Sequence, residues 1–189
     1  MLVMTWLVFT AVAFWWFQFK NIQQFSPQEN RQAAFFQAGG LAEQLMALQA
    51  GGELAAITVV HFWDPGCQCS RFNNAHVADL VSEYTDKGVR FVIVPAVNDV
   101  DQQEFVELFG VDARLARMND IAMPSSPAAA VLDKDGHLAY FGPYSSGANC
   151  GSKAGAYVEK VLEKMLVGDK PRYLNMAAVG CFCDWENRG

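Results

Sequence analysis

A chain of 189 residues has room for one domain with a full core and not for two of ordinary size. A formal net charge of -6 and the lack of any basic run exclude a nucleic-acid partner, which requires Lys and Arg gathered on one face. Five cysteines are too few for a disulfide-built scaffold, yet four of them form two Cys-x-Cys pairs, Cys67/Cys69 and Cys181/Cys183, with Cys150 between.

Residues 1–19 carry no charged side chain, only Thr5 and Thr10 interrupt Leu2 to Phe17, and Lys20 ends the run. A helix of that length reaches roughly 25 to 30 Å, close to the apolar thickness of a bilayer. The segment is therefore expected to be a transmembrane anchor. A cleaved signal is the competing reading, from the small pair Ala11 and Ala13, but Trp15, Trp16 and Phe17 suit a membrane interface better than a mature N-terminus. Lys20 and Arg31 favour a cytoplasmic domain, whereas paired cysteines favour an oxidising compartment. The expectation is a single-pass protein whose soluble domain is periplasmic.

Residues 20–32, rich in Gln and Asn and without periodicity, read as a tether, and the domain proper is expected over 33–167. Leu41, Leu45 and Leu48 predict a helix over Ala42 to Leu48, stopped at Gly51 and Gly52. Ile57 to Trp63 has the length and composition of a buried strand and ends in the turn Asp64-Pro65-Gly66. Val77, Leu80, Val81 and Tyr84 mark the buried stripe of the helix after it, Gly88 closes that helix, and Val89 to Val94 predicts a second buried strand. Strand, helix, strand at this spacing is a parallel βαβ unit. Asp101 to Phe109 predicts a helix. Ala128 to Leu132 and His137 to Phe141 predict a hairpin about Asp133-Lys134-Asp135-Gly136. Tyr157, Val161, Leu162 and Met165 predict a closing helix from about Ser152 to Val167, leaving 168–189 as a tail.

This order of elements resembles the thioredoxin fold, an α/β fold with a central mixed sheet flanked by helices. Phe62-Trp63-Asp64-Pro65-Gly66-Cys67 is similar to the strand end and turn before the nucleophilic cysteine of thioredoxins and their membrane-bound relatives. Ser126-Pro127 before a strand resembles their cis-proline element, with Pro124 as the less well spaced alternative. The resemblance spans roughly Ile57 to Val167. The string His61 to Asn73, with Tyr140-Phe141-Gly142-Pro143-Tyr144-Ser145 and Gly180-Cys181-Phe182-Cys183, is similar to a bacterial group of uncharacterised membrane-anchored thioredoxin-like proteins, a domain of unknown function. That closer likeness implies a bacterial inner membrane and a fold, and no activity.

Cys67 stands between a strand end and a helix N-terminus, where unpaired N–H groups favour a thiolate; the alternative is a small buried cysteine that fills space. Ser70 occupies the position of the family's second, resolving cysteine. On a helix Cys67 and Cys69 point about 200° apart, so Cys150, Cys181 and Cys183 become candidates to resolve or pair. The tail, with Leu174 to Val179, Phe182 and Trp185 to bury, is expected to dock, and Cys150 is its expected disulfide partner, one tail cysteine staying free. The resemblance implies that Pro127 is cis, that Trp63 and Ser126 meet substrate, and that His61 replaces a buried acid that relays protons; a satisfied core histidine is the alternative. His76 and His137 are expected to decorate a helix and the hairpin.

These residues predict a membrane-tethered thiol–disulfide oxidoreductase acting on protein thiols or disulfides through Cys67, without an organic cofactor or a metal. One rival is a Zn(II) or Cu(I) module built on the two Cys-x-Cys pairs. Another is peroxide reduction, against which Asp64 stands where peroxiredoxins carry Thr. The third is an interaction domain without turnover, for which Ser70 speaks.

Overall fold

A computed structural model describes residues 2–20, 22–25, 55–118, 123–146 and 155–185. Helix α1, Leu2–Lys20, is 19 residues long, and its side chains from Leu2 to Trp16 are exposed. Among the described residues no helix is long and apolar enough to cross a membrane. The helix expected over Ala42 to Leu48 lies outside the described residues.

The fold is built on strand β2, Ile57–Trp63, which is buried along its whole length, as expected of an apolar run with neighbours on both sides. Helix α2, Gln68–Tyr84, carries the chain back to β3, Val89–Pro95, which lies parallel to β2. A short 3-10 turn at Thr85–Lys87 and the left-handed Gly88 separate helix from strand. Helix α3, Gln102–Phe109, starts one residue later than expected because Asp101 is its cap, accepting the Glu104 N–H at 2.8 Å. Strand β4, Ala113–Leu115, which no periodicity announced, adds itself parallel to β3.

Strands β5, Ser125–Ser126, and β6, Ala128–Asp133, are separated by the cis Ser126–Pro127 peptide. β6 runs antiparallel to β2 and forms the hairpin with β7, Leu138–Gly142. Helix α4, Tyr157–Leu166, closes the thioredoxin-like core. Its expected start at Ser152 lies outside the described residues.

The tail docks as expected, and its described part does so through three strands. β8, Tyr173–Leu174, joins the sheet parallel to β7, giving the order β4-β3-β2-β6-β7-β8. The Asn175 N–H donates to Phe141 O at 2.8 Å, and the chain passes so close that a Cβ on Gly142, where φ is +153, would sit 2.9 Å from Asn175. β9, Val179–Cys181, and β10, Cys183–Asp184, follow.

The tether expected over 20–32 holds a piece of the domain at 22–25, while 26–32 lie outside the described residues. β1, Ile22–Gln24, pairs antiparallel with β9, and Phe25 is fully buried. A three-residue strand has no legible period, and its pairing partner is more than 150 residues away.

Two apolar layers flank the sheet. One joins it to the helices through Val77, Leu80, Val81, Phe105, Phe109, Val158 and Leu162. Over the other face Phe25, Met176, Ala178 and Phe182 from the two ends of the chain, with Met118 and Met123 from the segment between β4 and β5, pack with Phe62, Val94, Ala130 and Phe141. Phe25 meets Phe141 and Phe182 edge-on at 5.8 and 5.3 Å, a geometry aromatic quadrupoles favour.

Candidate active site

Strand β2 stops at Trp63 because Asp64-Pro65-Gly66 turns the chain. The Cys67 N–H donates to Asp64 O at 3.0 Å, and the Asp64 carboxylate accepts the Gly66 N–H at 2.8 Å. Cys67 is thereby set as the cap of α2, its backbone still extended at φ -82, ψ 123. Its Sγ turns back and accepts the Ser70 N–H at 3.4 Å. A helix N-terminus and a hydrogen bond both stabilise negative charge on this sulfur, so its thiolate is the favoured one of the site.

Opposite stands β5. Ser126 O lies 3.8 Å from Cys67 Sγ, and the cis bond to Pro127 turns β5 into the hairpin strand β6. The hydroxyls of Ser70 and Ser126 hydrogen-bond to each other. The Asp64 N–H reaches both, at 3.4 Å to Ser70 Oγ and 3.2 Å to Ser126 Oγ. Ser70, fully buried, thus ties the first turn of α2 to the proline strand where a resolving thiol was expected.

The missing thiols arrive from the tail. Cys67 is disulfide-bonded to Cys183, with Cα atoms 6.0 Å apart, and Cys69 to Cys181 at 5.7 Å. The two bonds form an antiparallel ladder. In an extended chain residues two apart face the same side, so one passing segment presents both cysteines while Phe182 points away into the apolar layer.

The same segment pairs β10 antiparallel with β5, Cys183 opposite Ser126 and Asp184 opposite Ser125. The Trp185 N–H continues the pairing to Pro124 O at 3.4 Å, and the Trp185 ring meets Phe62 edge-on at 6.2 Å. The Ser125 hydroxyl donates to Phe25 O at 2.7 Å, so β1, β5 and the tail hold one another.

The expected cysteine pairing is corrected here. Cys150 cannot be the tail's partner, because both tail cysteines are taken by Cys67 and Cys69, and none is left free; Cys150 itself lies outside the described residues. Cys67 is 3% exposed, with the bonded tail segment over it. Trp63 is 2% exposed and packs on Phe109 at 5.2 Å between ring centres.

His61 is wholly buried, and its described hydrogen bond runs from Nδ1 to the Tyr144 hydroxyl at 2.9 Å rather than to a cysteine. Burial lowers its pKa to about 3 and pushes that of Tyr144 well up, so both are neutral near pH 7. His76 does more than decorate its helix: its Nε2 lies 3.1 Å from Glu159 of α4. Burial pushes the Glu159 pKa up, but the His76 hydrogen bond, a backbone hydrogen bond and the neighbouring His76 and Lys160 together outweigh it and hold the carboxyl below its usual range. His137 is exposed beside Asp133 in the hairpin turn.

Phe25, Tyr144 and the β5–β10 pairing went unassigned by residue reasoning. Tyr144 had a signal, inside the Tyr140 to Ser145 string, but nothing in that string names His61 as its partner.

A family described as Domain of unknown function (DUF6436) matches residues 35–185. An uncharacterised conserved protein of Geobacillus kaustophilus is similar at TM-score 0.57 and 18% identity, over 72% of this chain and 80% of that one. A hypothetical protein of Sinorhizobium meliloti 1021 is similar at 0.53 and 16%, over 71% and 80%. A thioredoxin-like protein solved in its oxidised form gives 0.45 and 22%, over 62% and 81%. No curated protein matches.

Proposed function

This chain belongs to the DUF6436 family, and we propose that it is a membrane-tethered thiol–disulfide oxidoreductase acting on protein thiols or disulfides through Cys67. Its domain stands on the periplasmic side of a bacterial inner membrane. The observation that carries this reading is the seat of Cys183: an extended segment lies antiparallel on Ser126, with its cysteine bonded to Cys67. That is the arrangement of a mixed disulfide between the site and a peptide, realised within one chain.

In the reduced site the Cys67 thiolate attacks a substrate disulfide. A mixed disulfide forms at Cys67 and one substrate thiolate leaves. The Cys183 thiolate then attacks Cys67 Sγ, closes the Cys67–Cys183 bond and expels the second substrate thiolate, so the substrate gains the two electrons that the cysteine pair loses. The same steps in reverse oxidise a substrate dithiol. Because the helix N-terminus and the Ser70 N–H hold its thiolate, Cys67 is the attacking sulfur in the first direction and the leaving group that the second substrate thiol expels in the reverse. Cys69–Cys181 keeps the tail beside the site while the other bond opens, and a substrate peptide and β10 compete for the edge of β5.

Tethering is supported by α1. Its large side chains, from Leu2 through Phe9, Phe14 and Trp16, are between 50% and 88% exposed around the whole helix, an arrangement that water disfavours and hydrocarbon accepts.

The test is the full chain in detergent, reduced and then mixed with a disulfide-linked peptide. Cys183→Ser should accumulate a mixed disulfide that peptide mapping finds on Cys67, and Cys67→Ser should release no substrate thiol. Turnover by Cys67→Ser at the wild-type rate, or a mixed disulfide on Cys69, rejects the assignment. Membrane fractions should retain the full chain after alkaline washing and lose a variant lacking residues 2–19; an unchanged distribution refutes the tether.

A further inference from the structure

The sulfurs of Cys67, Cys69 and Cys183 all lie within 4.8 Å of one another, and Cys181 Sγ is bonded to that of Cys69. Three sulfurs from two segments are thus gathered, and the fourth stands one bond from Cys69. We propose that, when both disulfides are reduced, Cys67, Cys69, Cys181 and Cys183 form a closed four-thiolate site for one Zn(II) ion. Metal-bound dithiols and the disulfide ladder are then alternative states of the same residues, independently of any turnover.

The distances favour it. A tetrahedral centre with Zn–S bonds of about 2.3 Å separates its sulfurs by about 3.8 Å. The bonded pairs stand at 2.03 and 2.06 Å, so each of those sulfurs has to retreat by only about 1 Å to reach a tetrahedral edge. The other sulfur pairs among Cys67, Cys69 and Cys183 lie within 4.8 Å, and Cys181, outside that group, has to swing in to complete the tetrahedron.

Convergence does not depend on the disulfides. β10 is held on β5 and β9 on β1 by backbone pairing. Phe182 is buried against Phe25, and the Gln23 side-chain amide donates to Phe182 O at 3.1 Å. Reduction thus leaves two buried thiols, Cys67 and Cys69, beside two half-buried ones, Cys181 and Cys183.

The chemistry favours it too. Cys67 and Cys69 are 3% and 0% exposed, and no histidine or carboxylate joins the cluster among the described residues. An all-sulfur tetrahedral donor set selects Zn(II) over hard cations. Four thiolates and Zn(II) leave a net charge of two minus, which the α2 N-terminus and the Ser70 N–H to Cys67 Sγ offset in part. Loading is balanced: each disulfide takes two electrons and two protons from one equivalent of a dithiol, which leaves as its own disulfide. Binding Zn(II) then releases the four thiol protons.

The test uses the full chain, reduced anaerobically with a dithiol, desalted and titrated with Zn(II) and separately with Co(II). One Zn(II) per chain should survive gel filtration. Co(II) should give the sulfur-to-metal charge-transfer bands and intense visible bands of a tetrahedral thiolate site. Zinc should slow oxidation of the four thiols by diamide, and a chelator should restore the rate. The unreduced chain should retain no metal, and Cys181→Ser/Cys183→Ser should lose both the stoichiometry and the charge-transfer bands. Should that variant fail to fold, the wild-type stoichiometry and spectrum decide alone. Substoichiometric zinc in the reduced chain overturns the proposal, as does equal retention by the folded double variant. Weak octahedral Co(II) bands without charge transfer also overturn it, since they put the ion on the exposed Asp133, Asp135 and His137 group.

Discussion

Cys67 and Cys69 are two residues apart in sequence and differ in what surrounds each sulfur. Cys67 caps the helix and holds the Ser70 N–H, whereas Cys69 lies within the first turn and is fully buried. Breaking one rung of the ladder should therefore expose a low-pKa thiol at Cys67 only. In Cys183→Ser, with Cys69–Cys181 intact, iodoacetamide below neutral pH should label Cys67 first, as read by peptide mass mapping. Faster labelling of any other cysteine in the folded variant refutes the capping argument. His61 supplies a second expectation. It is neutral when folded because its pKa is lowered from 6.5 to about 3, while the unfolded chain takes up a proton below pH 6.5. The contribution is fully present above the unfolded value, and between about pH 6.5 and 3 stability falls by about 1.4 kcal/mol per unit through this residue. Urea midpoints at pH 7 and pH 4.5 should drop less for His61→Gln than for wild type; parallel drops refute the assignment.

At the scale of elements, the βαβ unit, α3, the hairpin and α4 were legible because each carries its own signal: an apolar run, a helical stripe or a turn quartet. The pieces that escaped are short. β1, β4, β8, β9 and β10 have two or three residues each, too few for a period to show, and their stability comes from the strand they join. Phe25 marks the consequence. Its side chain fills the angle between Phe141 and Phe182, so Phe25→Ala should cost about 3 to 5 kcal/mol, measured by urea denaturation of the oxidised chain. A chain starting at residue 20 should keep wild-type stability and one starting at residue 32 should lose it. Equal stability of the two rejects β1 as part of the domain.

For the whole molecule, the ladder closes loops with sequence separations of 116 and 112 residues. The chain-entropy argument assigns a single closure of about 100 residues roughly 4 to 5 kcal/mol. Once one rung exists, the second closes only a ring of a few residues and adds little through the unfolded state. Cys183→Ser or Cys181→Ser alone should thus cost far less than reducing both bonds, with urea titrations in the presence and absence of dithiol as the measurement. Two rungs of equal and additive weight contradict the argument. The sequence by itself determined the fold class, the place of Cys67 at the helix start and the proline opposite it, because an apolar strand, a Pro-Gly turn, a helix start and a Ser-Pro step are local matters written in adjacent residues. Only the tertiary structure decided that the tail completes the site, that Cys183 and Cys181 rather than Cys150 meet Cys67 and Cys69, and that Trp63 turns inward. Those outcomes depend on which distant segments bury each other's apolar side chains, and Phe25, Phe141 and Phe182 reveal that choice only when they pack together.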